Sequence, residues 1–456
     1  MKTILNISQK SWWKFTYEFK TTFVLAFPII IAQLIHMSMS FVDTVMTGNL
    51  SAQDLAAVSV GHHSILLFEI FGISIISAIQ PIIAQMHGAR GKKPAVGIVV
   101  VQGIFIGQLF AILLLIGAEY AHLILPLFSI DSQVVDISAR YIRAYSWRFP
   151  ASFVMIALIN YYSGITNTKI AMYISIGALC INIVGNYILI FGNLGAPQLG
   201  AQGAGYTSAL ASWIGMIAMV IYTLKNKKYR DYKIFRQIHK FDLTVMKEIF
   251  RIGSPIGFST VFEVGLFSFF TLLTGRLGLL TIAGNQIALN FASITFMIPL
   301  ALSQATAIRV GNYIGKQEID LAKYVGYIGY LISFMVMSTA AFIMIVFPHT
   351  IAGFYTIDLQ VQEIASGLLV FAGIFQISDG IQVAGMGALK GFKDTKVPMI
   401  VNLFSYWAIG VTLGYYFCFN LGYGASGLWT GLILGLTTAA ILHAWRFSWI
   451  CKTYSV

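Results

Sequence analysis

The chain is written in long apolar runs separated by short polar clusters. A helix that crosses a bilayer needs about 20 predominantly apolar residues. Scanned at that length, the sequence predicts twelve spanning helices. Six lie near 21–47, 54–84, 95–118, 135–163, 168–192 and 203–224, and six near 248–275, 281–308, 323–347, 361–388, 397–420 and 424–449. The runs are continuous rather than alternating, which selects helices over a membrane barrel. The fourth run is atypical, because Arg140, Arg143 and Arg148 fall in its first half. Residues 1–20 carry lysines and Trp12-Trp13 without a small-residue cleavage site, and are expected to form an uncleaved interfacial segment. The pattern therefore predicts an all-α integral membrane protein.

Composition narrows this further. Hydrophobic residues make up 57% of the 456 positions and charged residues 10%, with a mean hydropathy of +0.79. Soluble domains average about 25% charged residues, so this chain cannot coat a water-facing surface. The same figures exclude a disordered chain and a disulfide scaffold. The three cysteines, Cys180, Cys418 and Cys451, are too few and too scattered for a zinc site. The net charge of +12 takes its meaning from its placement. Counting loops alternately from the N-terminus puts 25 of the 29 lysines and arginines on one side, leaving Arg140, Arg143, Arg148 and Arg276 toward the other. Cytoplasmic loops attract Lys and Arg, so both termini are expected in the cytoplasm, in a bacterial inner membrane. No nucleic-acid partner is needed to explain the basic balance.

Shifting the sequence by 227 positions brings its landmarks into register. Lys20 falls on Lys247, Pro28 on Pro255, Thr47-Gly48 on Thr274-Gly275 and Gly88 on Gly315. Gly164-Ile-Thr-Asn-Thr-Lys169 falls on Gly391-Phe-Lys-Asp-Thr-Lys396 without a gap. Each repeat carries six spans, an even number, so the two are parallel, with an expected cavity between them. The expected organisation is an N-lobe over 1–224, a cytoplasmic linker over 225–247 and a C-lobe over 248–456. A duplicated single chain fits a transporter better than a channel built from several subunits.

Of seventeen acidic residues, four sit well inside spans: Asp43, Glu69, Glu263 and Asp379. An acid near the centre of a spanning helix costs about 2.5–3.5 kcal/mol on insertion scales, which favours a functional reading. A neutral acid bonded to a neighbouring helix is the alternative. For Glu69 that alternative weighs equally, with His36, His62 and His63 as available partners. His36 and Asp43 lie nearly two helical turns apart and share a face, and their repeat mates are Glu263 and Phe270. His36 itself reads more readily as a packing residue. Asn182 and Asn186, one turn apart in the fifth span, have the first span as their expected neighbour, either as partners of its acid or as packing residues. Pro28 and Pro255 mark an expected bend in the first helix of each lobe.

The stretches that carry these residues resemble a known family. Phe41-Val-Asp-Thr-Val-Met-Thr-Gly48, Pro81-Ile-Ile-Ala-Gln-Met-His-Gly88, Asn182-Ile-Val-Gly-Asn-Tyr187 and Ala283-Gly-Asn-Gln-Ile-Ala-Leu-Asn290 are similar to signatures of multidrug and toxic compound extrusion (MATE) transporters. Gln376-Ile-Ser-Asp-Gly-Ile-Gln382 with Gly391-Phe-Lys-Asp-Thr395 resembles the NorM-like bacterial branch. The resemblance implies a twelve-helix, two-lobed antiporter that expels cationic, lipophilic drugs in exchange for Na⁺ or H⁺. It implies cation coupling at Asp43, Glu263 and Asp379, with Asn182 and Asn186 as supporting polar partners. Na⁺, if it is the ion, would be held at Glu263 and Asp379. In this chain Phe375 stands where NorM-like relatives can carry a tyrosine four residues before the aspartate.

The expected mechanism is alternating access by a functional monomer in membrane lipid, with no cofactor beyond the coupling ion. Gln286 and Asn290, on one face of the eighth span, are candidates to line the substrate cavity. The alternative is a lipid-linked precursor flippase, which would call for a strongly cationic cavity, whereas the mid-span charges here are acidic. A membrane enzyme lacks support, since no His-Glu-x-x-His, Gly-x-Ser-x-Gly or phosphate-loop pattern occurs.

Overall fold

The computed structural model describes residues 2–89, 93–128, 131–237 and 239–454, and among these it contains helix and turn but no strand. In the N-terminal repeat, α1 is Lys2–Gly48, α2 Ala52–Gly88 with a turn at Ser77-Ala78, and α3 Lys93–Glu119. The next element, α4, comes in two pieces, Ser132–Ser146 and Phe149–Gly164, and is followed by α5, Lys169–Leu189, and α6, Ala201–Lys225. In the C-terminal repeat, α7 is Leu243–Thr274, α8 Leu279–Gly315, α9 Ile319–Val346, α10 Leu359–Gly391, α11 Lys396–Asn420 and α12 Gly424–Thr453.

Eleven of these are long and apolar enough to cross a bilayer, and α4 is the exception. Its arginines explain both features. Arg140 pairs with Asp136 and Arg143 with Glu119, each at 3.0 Å, and the helix breaks at Trp147-Arg148. The first helix runs back to Lys2 rather than starting near residue 21, because no Gly or Pro interrupts it before Pro28. Helix α11 widens to i→i+5 bonding over Phe404–Val411 and again over Tyr416–Asn420. There it lies backbone to backbone with α12: a Cβ on Gly431 would sit 2.4 Å from the Gly414 Cα, and one on Gly435 3.0 Å from the Gly410 Cα. Such contact needs small residues on both helices.

The duplication is visible in local geometry. Thr166 and Lys393, the same residue of the repeat, both take the left-handed conformation (φ 64° and 61°). In each turn the next amide reaches back five residues, Asn167 N to Tyr162 O (2.8 Å) and Asp394 N to Leu389 O (3.0 Å). This 6→1 bond closes a helix C-terminus and satisfies one of its orphan carbonyls.

Packing divides the chain into two units, Ile31–Gly257 and a second made of Met1–Ile30 with Phe258–Val456. The divisions fall inside α1 and α7, shortly after Pro28 and Pro255, at equivalent points of the two repeats. Each crossing helix thus gives its first segment to the unit built mainly from the other repeat. For α1 the fixing contact is a buried ion pair. Glu18 and Arg309 are 3% and 6% exposed, and Arg309 also donates to Thr22 Oγ1 (2.6 Å) while Tyr313 donates to Glu18 (3.0 Å). For α7, a Cβ on Gly253 would lie 2.4 Å from the Ile75 carbonyl oxygen of α2, so only glycine admits that approach.

The stretch 225–247, expected as an inter-lobe linker, is folded onto the first of these units. Tyr229, Tyr232 and Ile234 are buried. Tyr161, Tyr162, Tyr222, Tyr229 and Tyr232 form one aromatic cluster, with ring centroids 5.2 Å apart for Tyr162 and Tyr229 and 5.5 Å for Tyr161 and Tyr232. The Gln102 side chain donates to the Lys240 carbonyl (2.9 Å) and accepts from the Asp242 amide (3.2 Å).

Removing one member of a buried ion pair strands the other, at a cost of about 3–5 kcal/mol, whereas replacing both with apolar residues is often nearly neutral. Glu18→Ala should therefore lower the thermal unfolding midpoint of the purified protein sharply, and the Glu18→Leu/Arg309→Met double variant should lower it less. Equal losses in the two would show that the ion pair does not hold the segment.

Candidate functional site

In the N-terminal repeat, α5 presents Asn182 and Asn186 one turn apart, both fully buried. Both donate to the same oxygen of Asp43, Oδ1, at 3.0 and 2.6 Å. Asp43 is half-buried on α1, where its own carbonyl also accepts from Thr47 (2.7 Å). Two amide donors converge on one carboxylate oxygen. Asn186 Oδ1 has no partner, so the cluster has spare acceptor capacity.

A second polar group lies in the same unit. Glu69, 6% exposed on α2, pairs with Arg148 at 3.4 Å. The Arg148 guanidinium also bonds the Tyr145 hydroxyl and stands 4.6 Å from that ring's centre. The expected histidines are therefore not the partners of Glu69: His63 bonds the Ser59 carbonyl and His62 meets the Tyr145 ring edge-on. Arg148 sits at the break in α4, where the chain turn lets its side chain reach inward. Its repeat mate is Phe375 and that of Glu69 is Phe296, so this ion pair belongs to one repeat only. Reading Arg148 only as an outer-side charge hid it; an arginine in the middle of an apolar run was the available signal.

The C-terminal repeat is built differently. Asp379 on α10 is 2% exposed, and its Oδ1 has no hydrogen-bond partner. Glu263 on α7 is half-buried and close enough to act on Asp379 electrostatically, and Tyr406 of α11 feels both. Tyr406 is fully buried and its hydroxyl accepts from Gln382 Nε2 (2.5 Å). Gln376 donates to Thr295 (2.6 Å) and to the Ala292 carbonyl (3.1 Å) of α8. Phe375, in place of a tyrosine, packs edge-on against Phe267 and Trp429. Further partnerless atoms lie on α10, α11 and α12: Gln382 Oε1, Asn402 Oδ1, Ser405 Oγ and His443 Nε2, all on fully buried residues. An unsatisfied buried polar atom costs about 1–3 kcal/mol. No basic side chain is paired with either acid by an ion pair among the described residues.

The MatE family model matches residues 28–188 and 255–416, two stretches that begin one repeat apart. The chain belongs to the MatE family. It is 36% identical over 440 residues to the probable multidrug resistance protein NorM of Shewanella oneidensis, covering 96% of each chain. It is 35% identical over 444 residues to the multidrug resistance protein MdtK of Yersinia enterocolitica, covering 96% of this chain and 97% of that one. Among solved structures, its fold matches an outward-facing multidrug resistance MATE family transporter of the MOP superfamily, with a TM-score of 0.89 at 17% identity over 96% of this chain and 97% of the other. It also matches the eukaryotic MATE transporter AtDTX14, with a TM-score of 0.84 at 20% identity over 96% and 98%. MATE proteins are secondary transporters and not enzymes, and they need no cofactor. The chain is a multi-pass membrane protein of the bacterial inner-membrane type, and a lipid-linked flippase is not favoured.

The remaining MATE-like positions are placed as follows. Gln286 and Asn290 of α8 are both exposed, and Asn290 accepts a hydrogen bond from Tyr355 (2.9 Å). Their neighbour Asn285 is instead buried, accepting from the Trp429 indole (3.0 Å). His36 is exposed on α1, and Pro28 and Pro255 lie inside continuous helices.

The Glu69–Arg148 pair generates a stability test. Glu69→Gln should destabilise the protein by about 1–3 kcal/mol, because it leaves Arg148 without a counter-charge in a buried site. Adding Arg148→Gln should recover part of the loss, and a double-mutant cycle on thermal unfolding measures it. Strictly additive losses would show that the two side chains are not coupled.

Proposed function

We propose that this protein is a multidrug efflux antiporter, exporting cationic, lipophilic small molecules in exchange for an inorganic cation, H⁺ or Na⁺, by alternating access of the two repeats. Its chain-length similarity to proteins named for multidrug resistance supports the substrate class. The single observation that carries the coupling reading is Asp379, a carboxyl group 2% exposed with a free oxygen and Glu263 near it. A buried carboxylate persists only if it is protonated or holds a cation. Either state makes the group an ion binder.

The work divides between the repeats. In the C-terminal one, Glu263 and Asp379 take up the coupling ion. Among the described residues no group of three or more His, Cys, Asp or Glu side chains could hold a metal ion. Na⁺ would therefore draw its other oxygens from amides, hydroxyls and water, a donor set that suits a hard monovalent ion, while a proton needs one oxygen only. In the N-terminal repeat, Asp43 held by Asn182 and Asn186 attracts or releases charge as the drug passes. Gln286 and Asn290, exposed on one face, line the drug's path, and Pro28 and Pro255 supply the bends. Coupling requires the ion and the drug to prefer different conformations. One charge crossing 100 mV supplies about 2.3 kcal/mol. Both termini lie in the cytoplasm, a reading that the distribution of lysine and arginine supports, and the duplicated chain works as a monomer surrounded by lipid.

The test is dye efflux in inverted membrane vesicles under separately imposed Na⁺ and pH gradients. Glu263→Gln and Asp379→Asn should each lower ion-driven efflux at least tenfold, and Asp43→Asn should lower it as well. Wild-type rates in the first two variants would remove the C-terminal acids as the coupling site. Whichever gradient alone drives wild-type efflux identifies the ion.

A further inference from the structure

Three helices of the C-terminal repeat meet around a group of polar side chains that the transport reading leaves without a role. Gln382 stands on α10, Asn402 and Ser405 on α11 and His443 on α12, and all four are 0% exposed. Each carries a polar atom without a hydrogen-bond partner: Gln382 Oε1, Asn402 Oδ1, Ser405 Oγ and His443 Nε2. Contacts place Gln382, Asn402 and His443 together, and Ser405 follows Asn402 by about one turn on α11. The Met386 sulfur accepts from both Gln382 Nε2 (3.0 Å) and Asn402 Nδ2 (3.5 Å). His443 Nδ1 faces the Gln382 carbonyl at 3.4 Å.

The group is continuous with polar atoms on either side. Toward the acids, Gln382 donates to Tyr406, which feels both Glu263 and Asp379. Toward the α10–α11 turn, a Cβ on Gly385 would lie 2.6 Å from the Tyr330 hydroxyl and 2.8 Å from the His443 Cβ, so the glycine makes room for both. The Tyr330 hydroxyl is itself partnerless. One turn past His443 on α12, Arg446 pairs with Asp394 at 2.7 Å, beside the end of α10. The helices are tight elsewhere, so this is not loose packing. Ala439, one turn before His443, is fully buried in an apolar cluster with Leu432, Leu436 and Trp429.

We infer that these side chains wall a hydrated chamber inside the C-terminal bundle, through which the coupling cation passes between the Glu263–Asp379 site and the end of the bundle where α10 meets α11. Polar atoms that are buried and unpaired are commonly completed by internal water. A chain of water, amide oxygens and hydroxyls is a medium that a proton or a dehydrating Na⁺ can traverse. The drug then need not share the ion's route. The inference rests on reading Glu263 and Asp379 as the coupling site.

The test places a thiol in the chamber by Ser405→Cys, a near-isosteric change, after Cys180, Cys418 and Cys451 have been replaced by alanine. The probe is the silver ion, a small monovalent cation. It is applied to purified protein in proteoliposomes, removed, and followed by alkylation of the denatured chain to count unreacted thiols. The introduced thiol should react at least tenfold faster than that of an Ala439→Cys control in the neighbouring apolar cluster. Reaction no faster than the control overturns the chamber. A second variant, Asn402→Leu, fills the space. It should lower ion-driven dye efflux at least tenfold while the dye's Kd changes less than twofold, and wild-type efflux overturns the route. Thiol reactivity is read whether or not the protein pumps, so this result and the efflux of Glu263→Gln and Asp379→Asn can fail independently.

Discussion

Hydrocarbon offers no hydrogen bonds, and this one constraint shapes the whole molecule. The backbone meets it by remaining helical over nearly every described residue. Side chains meet it by pairing inside the bundle or by being small enough to let helices touch, as at Gly410, Gly414, Gly431 and Gly435. Against such a background the unpaired polar atoms stand out. They fall mainly in the C-terminal repeat, on α9, α10, α11 and α12.

The duplicated architecture carries unlike chemistry in its two copies. Asp43 is matched by Phe270, Glu263 by His36 and Asp379 by Ser152, so no acid of the candidate site faces an acid at the equivalent position. The N-terminal repeat gives its carboxylates internal partners, Asn182 and Asn186 for Asp43 and Arg148 for Glu69. The C-terminal acids have no comparable donors. Duplication supplied the frame, and the two halves diverged in how their buried acids are partnered.

Much of the fold was legible because its rules are one-dimensional. Apolar length fixed eleven helices, and the 227-residue offset reappears in the matched turns at Thr166 and Lys393. Helical spacing put Asn182 and Asn186 on one face, and the first span, their expected neighbour, carries the Asp43 that both amides reach. What escaped the sequence depends on which distant segments meet. Arg148 reaches Glu69 only because α4 breaks beside it, and Glu18 finds Arg309 only because α1 joins the unit of the other repeat. Charged and flexible in appearance, 225–247 holds two tyrosines, Tyr229 and Tyr232, too few to mark an apolar face. Their partners Tyr161, Tyr162 and Tyr222 lie in other elements, which no local pattern discloses.

The shared first helix also has a bearing on biosynthesis. Glu18 emerges early from the ribosome, yet Arg309 lies 291 residues downstream. At about 5–20 residues per second, roughly 15–60 s separate the two. Throughout that interval Glu18 lacks its partner, so the docking of this segment onto the other repeat has to follow the synthesis of α8.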